Sequence, residues 1–113
     1  MDCIFCKIAN KTIPSDIVYE DDDLVAFNDI RPRAPTHQLI IPKKHIATVN
    51  DVTTEDAGLV AQMILVAKQL AKESKHAEKG YRLVFNCNAA GGQEVYHLHL
   101  HLLAGRQMIW PPG

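Results

Sequence analysis

"YHLHLHLLAGRQ", residues 96–107, sets His97, His99 and His101 at every second position with leucines between them. Half of the chain's six histidines thus fall within five consecutive residues. Alternation is the period of an extended strand, in which successive side chains point to opposite faces at about 3.3 Å per residue. The three imidazoles then share one face, and Leu98, Leu100 and Leu102 turn to the core on the other. Neighbouring rings are expected about 6.7 Å apart along the strand and the outer two about 13 Å apart. One ion with bonds of about 2.1 Å to nitrogen is not easily held by all three, although an adjacent pair can share one. A row of this kind suits an extended ligand with one reactive phosphorus. One imidazole attacks phosphorus and divides the displacement into two easier steps through a phosphorylated histidine. The next binds phosphate oxygens or protonates the departing atom, which an amine leaving group requires.

Working outward, "NAAGGQEVYH" precedes the row. Gly91-Gly92 can take positive φ and aim N–H groups at an anion, although a Gly-Gly pair alone is a plain turn. Val95–Leu103 reads as the last strand and "YRLVFN", following the helix stop Gly80, as the one before it. From Glu55 to Lys75, the residues Leu59, Val60, Met63, Ile64, Ala67, Leu70 and Ala71 follow helical spacing, with Thr53 or Thr54 as cap. "IVYEDDDLVAFND" reads as a hairpin of Ile17–Glu20 and Leu24–Phe27 around a solvated acidic turn, and Gln38–Ile41 as a strand stopped by Pro42. Cys3–Asn10, with Asp2 as a possible N-cap, reads as a short opening helix. Cys87 reads as a buried strand residue and His76 as exposed near a helix end. This order predicts an α+β domain: a five-stranded antiparallel sheet with one long and one short helix. One domain is expected over 1–113, with 104–113 an irregular tail; its Trp110, before two prolines, is expected to pack on something, such as a second subunit.

The 113 residues are 47% hydrophobic, enough for one core. Twelve Lys and Arg against thirteen Asp and Glu leave a net charge of −1, which is no basic footprint for nucleic acid and no polybasic patch for a membrane. No apolar run reaches the roughly 18 residues of a spanning helix, and the start lacks the order of a signal peptide, so a cytoplasmic location is expected. Three cysteines, Cys3, Cys6 and Cys87, are too few for a disulfide scaffold and point to thiols or a metal site.

The segment His97-Leu-His99-Leu-His101-Leu-Leu resembles the signature of the histidine-triad (HIT) superfamily. "IFCKI", "AFNDI", "APTHQLIIPKKHI", "GYRLVFN" and "GGQEVYHLHLHLLAGRQMIWPPG" are similar to its histidine-triad nucleotide-binding branch, over nearly the whole chain. The resemblance implies a homodimer with sheets joined across the two subunits. It also implies hydrolysis of purine nucleoside 5′-phosphoramidates, of the bacterial type, and of aminoacyl adenylates, through a nucleotidyl-histidine and without a required cofactor.

By that resemblance His99 is the nucleophile, His101 assists at the phosphate and leaving atom, His97 orients its neighbour and His37 supports the triad from behind. Asp29 takes both ribose hydroxyls, as one ionised carboxylate can. Phe5, Ile8, Phe27 and Leu39 wall the purine slot with Ile30 beside it; without the resemblance these apolar residues read as core. Asn86, Gly92, Gln93 and Val95 lie near the phosphate, and the tail with Trp110 reaches toward the partner and the leaving group. Glu94 stands where many relatives have a serine at the leaving group, and a carboxylate there favours cationic groups. Cys3-Ile-Phe-Cys6 is half a zinc site; in some relatives the equivalents of His45 and His97 complete it, while the alternative is two reduced thiols. Two rival functions stay open: a metal-dependent hydrolase using two triad histidines as ligands, and a nucleotide-binding regulatory protein with incidental hydrolysis.

Overall fold

The structure, a computed structural model, describes residues 3–113. Helix α1 (Ile4–Ala9) is followed by strands β1 (Ile17–Glu20), β2 (Leu24–Asn28) and β3 (Thr36–Pro42). After two single 3-10 turns come helix α2 (Ala57–Glu73) and strands β4 (Arg82–Phe85) and β5 (Leu100–Ala104). The five strands form one sheet in the order β1-β2-β3-β5-β4, and every neighbouring pair is antiparallel. The expected α+β architecture is therefore found. Among the described residues no helix is long and apolar enough to cross a membrane.

Period-2 geometry divides the core in two. Leu24, Ala26, Ile40, Leu98, Leu100 and Leu102 face α2, where they meet Met63, Val66, Ala67, Leu70 and Ala71. Val25, Phe27, Leu39 and Ile41 face the other way, against Phe5 and Ile8 of α1. The middle of the sheet is thus covered on both faces, which is why β2 and β3 read as continuous apolar runs. Within α2 the buried stripe differs from the expected one by a residue: Val66 is buried while Ile64 is 44% exposed.

Element ends differ where a side chain or a proline intervenes. The proposed cap Asp2 lies outside the described residues; Cys3 is the N-cap of α1, its sulfur accepting from the Cys6 N–H. Thr53 and Asp56 form a capping box on the 3-10 turn Thr54–Asp56 that leads into α2. Strand β5 begins at Leu100, five residues later than expected. Its ladder with β3 runs from Thr36↔Ala104 to Ile40↔Leu100 and stops short of Pro42, which has no N–H to donate and whose carbonyl is taken by the His97 ring. The strand continues through Ala104, so the irregular tail starts at Gly105. Trp110 is 84% exposed, so its expected packing is not made within the chain. Cys87 is half-buried in the loop after β4 rather than in a strand, and His76 is half-buried, with Nε2 2.9 Å from the Thr36 hydroxyl.

Met63 is fully buried between α2 and the sheet. Met63→Ala is expected to lower the unfolding free energy by about 2–5 kcal/mol, measured by urea denaturation, with the same fold by circular dichroism.

Candidate active site

A cleft of about 400 Å³ opens on the α1 side of the sheet. Ile4, Phe5 and Ile8 of α1, Phe27 of β2, Leu39 of β3 and Val95 supply an apolar slot, and Ile30 stands at its rim. Asp29, His37, Asn86, Gly92, Glu94, His99 and His101 supply its polar lining. Thirteen of the residues singled out in the sequence therefore meet in one place. Arg31, Arg33, Ile13, Pro14 and Ser15 also line the cleft; they lie in a loop and a turn with no periodic signal to single them out. A shallower depression of about 530 Å³ between Asp22, Lys44, Asp56 and neighbouring residues contains none of the histidines.

Three expected residues are not in the lining. Gln93 is buried, its Oε1 accepting from the Asn88 N–H and its Nε2 donating to the Ala47 and Val95 carbonyls. Its side chain braces the loop at Gly92 from within and does not line the cleft. Trp110 lies outside the cleft on the exposed tail. His97 is fully buried and also lines no part of it. The triad is thus not a file of three equivalent rings. His99 and His101 approach to 4.9 Å between ring centroids, closer than strand spacing alone gives, because His99 precedes the regular strand.

Backbone groups settle which ring nitrogen carries each proton. The Arg33 N–H, a donor only, lies 2.9 Å from His37 Nδ1, so that nitrogen accepts. A neutral His37 then carries its proton on Nε2 and donates to His101 Nδ1 at 2.9 Å. His101 is left with its proton on Nε2, a buried N–H with no acceptor among the described residues. The carbonyl of His97, an acceptor only, lies 2.8 Å from His99 Nδ1, so His99 donates there and keeps a bare Nε2. Two adjacent imidazoles thus offer opposite functions to the cleft: a lone pair from His99 and an N–H from His101.

Burial holds these rings neutral. It pushes His99 below the ordinary imidazole value against the opposing pull of its bond to His97 and of the Asp29 and Glu94 carboxylates. Burial, then the neighbouring His99 and His37, push His101 down to about 4. His37 is lowered chiefly by burial, so its 3.5 Å approach to Asp29 is not an ion pair at neutral pH. Asp29 is held by the Arg31 N–H on Oδ1 at 2.8 Å.

Behind Phe5 lies a second cluster. Cys3, Cys6, His45 and His97 bring four ligand atoms within 4.8 Å of one another. His97 Nδ1 is 3.2 Å from Cys3 Sγ, 3.5 Å from Cys6 Sγ and 3.2 Å from His45 Nδ1, and Cys6 Sγ is 3.4 Å from His45 Nδ1. A tetrahedral ion with bonds of about 2.1 Å to nitrogen and 2.3 Å to sulfur sets its donors about 3.4–3.8 Å apart, so these residues fit zinc. His97 donates from Nε2 to the Pro42 carbonyl at 2.7 Å, which leaves Nδ1 bare toward the thiols. Asp29, His37 and His101 also come within 4.8 Å of one another, but the facing nitrogens of the two rings are engaged with each other.

Fold and site together define a class: an α+β protein whose antiparallel sheet carries alternate histidines at an apolar cleft, the histidine-triad architecture. The family model described as "Scavenger mRNA decapping enzyme C-term binding" matches residues 2–109. The chain is 56% identical over 105 residues to the purine nucleoside phosphoramidase of Escherichia coli (strain K12), covering 93% of this chain and 88% of that protein. A crystal structure of a HIT family hydrolase from Legionella pneumophila Philadelphia 1 superposes with a TM-score of 0.98 at 62% identity, covering 99% of this chain and 100% of that one. A histidine triad protein from Clostridium difficile gives 0.93 at 49% identity, covering 96% and 95%. This chain belongs to the histidine-triad (HIT) family.

The lowered imidazoles make a signed prediction. Their folded pKa values lie below the ordinary 6.5, so below that pH the unfolded chain binds more protons and stability falls with pH. The decline due to His101 should run from about pH 6.5 to its folded value of about 4. Urea denaturation across this range should show a shallower decline in His101→Asn than in the parent.

Proposed function

We propose that this protein hydrolyses purine nucleoside 5′-phosphoramidates, and aminoacyl adenylates by the same chemistry, to the nucleoside monophosphate. The observation that carries the proposal is the pair of opposite tautomers: a bare His99 Nε2 beside the His101 Nε2–H over one cleft. The purine lies in the slot of Phe5, Ile8, Phe27 and Leu39, and the ribose hydroxyls donate to Asp29. Gly92 and Asn86 flank the phosphate, and Glu94 lies toward the leaving amine.

The anionic substrate raises the proton affinity of His101, which becomes imidazolium only once the phosphoramidate is in place. His37 then moves its proton from Nε2 to Nδ1, giving up the Arg33 N–H bond, so that its Nε2 accepts from the new His101 Nδ1–H. His99 Nε2 attacks phosphorus as the P–N bond breaks, and His101 gives its Nε2 proton to the departing nitrogen. Water then attacks the nucleotidyl-His99, returns a proton to His101, and releases the monophosphate and free His99. His97 acts through its main-chain carbonyl, as a positioning residue for the tautomer of His99. His37 does the same for His101.

The identity to a purine nucleoside phosphoramidase supports this substrate class. Zinc, when bound to Cys3, Cys6, His45 and His97, supplies a structural cross-link. The protein acts as one domain over 1–113 and as a cytoplasmic homodimer, in which the exposed Ile109 and Trp110 are covered by the second subunit.

Incubation with a guanosine 5′-phosphoramidate and acid-free mass spectrometry should find one nucleoside monophosphate on the peptide bearing His99. His99→Ala should lose at least about 10⁴-fold in kcat, and His101→Ala about 10²–10⁴-fold. Equal turnover by His99→Ala excludes the mechanism. Because His99 must be unprotonated to attack and burial lowers its pKa, the acid limb of kcat/KM should lie below pH 6.5.

A further inference from the structure

The Cys/His cluster and the cleft share their supports. Helix α1 has only six residues, too few to persist as an isolated helix, yet Ile4, Phe5 and Ile8 form one wall of the cleft. Both cysteines of the cluster belong to this helix end, Cys3 as its N-cap and Cys6 one turn on. His45 follows β3 and His97 precedes β5. Three contacts make His97 the junction. Its Nδ1 faces the thiols, its Nε2 is tied to Pro42 at the end of β3, and its carbonyl receives His99 Nδ1. Phe5 stands edge-on to both His97 and His99, at 6.0 and 5.2 Å between centroids. An ion in the cluster therefore joins the wall of the purine slot to the segment that carries His99.

Resting on the zinc and nucleotide readings above, we infer that metal occupancy of Cys3, Cys6, His45 and His97 sets the affinity of the cleft for purine nucleotide. A bound ion holds α1 against Phe27 and Leu39. Its loss leaves the helix held by the packing of Phe5 and Ile8 alone, and the slot must then spend binding energy on steadying its own wall. The effect falls on nucleotide affinity and is local, since α2 packs on the opposite face of the sheet. Linkage makes the coupling reciprocal, so nucleotide in the slot tightens metal binding by the same factor.

The test compares the full-length protein freed of metal with the same protein reloaded with zinc chloride. Titration calorimetry with GMP should give an affinity about tenfold weaker without zinc, within the usual range of site–site coupling. Amides of α1 should exchange faster in the metal-free state while those of α2 and β3 keep their rates. At equilibrium with a competing chromophoric chelator, the protein should retain more zinc with GMP present. Cys6→Ser should bind GMP like the metal-free protein and not respond to added zinc. Failure to take up zinc, or exchange that rises equally through α2 and the sheet, overturns the inference. GMP binding indifferent to zinc overturns this inference alone; no GMP binding in either state overturns the nucleotide reading with it.

Discussion

The central strands of this sheet are covered on both faces, and that double coverage constrains everything else. A residue of β2, β3 or β5 has no neutral orientation: it belongs either to the α2 core or to the α1 side. A one-residue slip in β5 would turn Leu100 and Leu102 into the cleft and drive His99 and His101 into the hydrocarbon under α2. The leucines, each nearly inaccessible to solvent, therefore lock the register that presents the histidines. Apolar burial on one face specifies the polar geometry of the other.

Within that frame the proton positions come from main-chain groups. An N–H can only donate and a carbonyl can only accept, so neither can be satisfied by the wrong tautomer. The Arg33 amide acts through His37 on His101, and the His97 carbonyl acts directly on His99. Burial keeps all four rings neutral, which makes the assignments persist across the neutral pH range. A side-chain partner in place of either main-chain group would itself titrate or rotate, and the opposition between His99 and His101 would be conditional.

The alternation at 97–102, the long helix and the hairpin were legible because each is a local periodicity. The start of β5 was not, because it depends on Pro42, about 55 residues away, failing to donate and lending its carbonyl to a side chain. Period alone also treated His97 as the equal of His99 and His101. The cysteines that claim its ring lie more than 90 positions earlier in the chain, and only resemblance to relatives linked them. The sequence groups Gln93 with its neighbours Gly92 and Glu94, which line the cleft; its side chain turns inward to meet three backbone groups that no motif announces. The Arg33 amide has no signature at all, since every residue but proline carries one.

His97 shows why three histidines in strict alternation need not perform one task. Its side chain lies on the same side of the sheet as the others, yet it turns to the Cys/His cluster, while Phe5 packs against both its ring and that of His99. The His97 imidazole is a ligand-type donor among thiols; the His99 imidazole keeps a free lone pair at the cleft. The partition is needed. A thiol-bound ion within reach of His99 Nε2 would compete for the very lone pair the cleft exposes. The ring of His97 faces the cluster, and only its carbonyl reaches His99. The same residue can therefore tie the two sites together mechanically while keeping their chemistries apart.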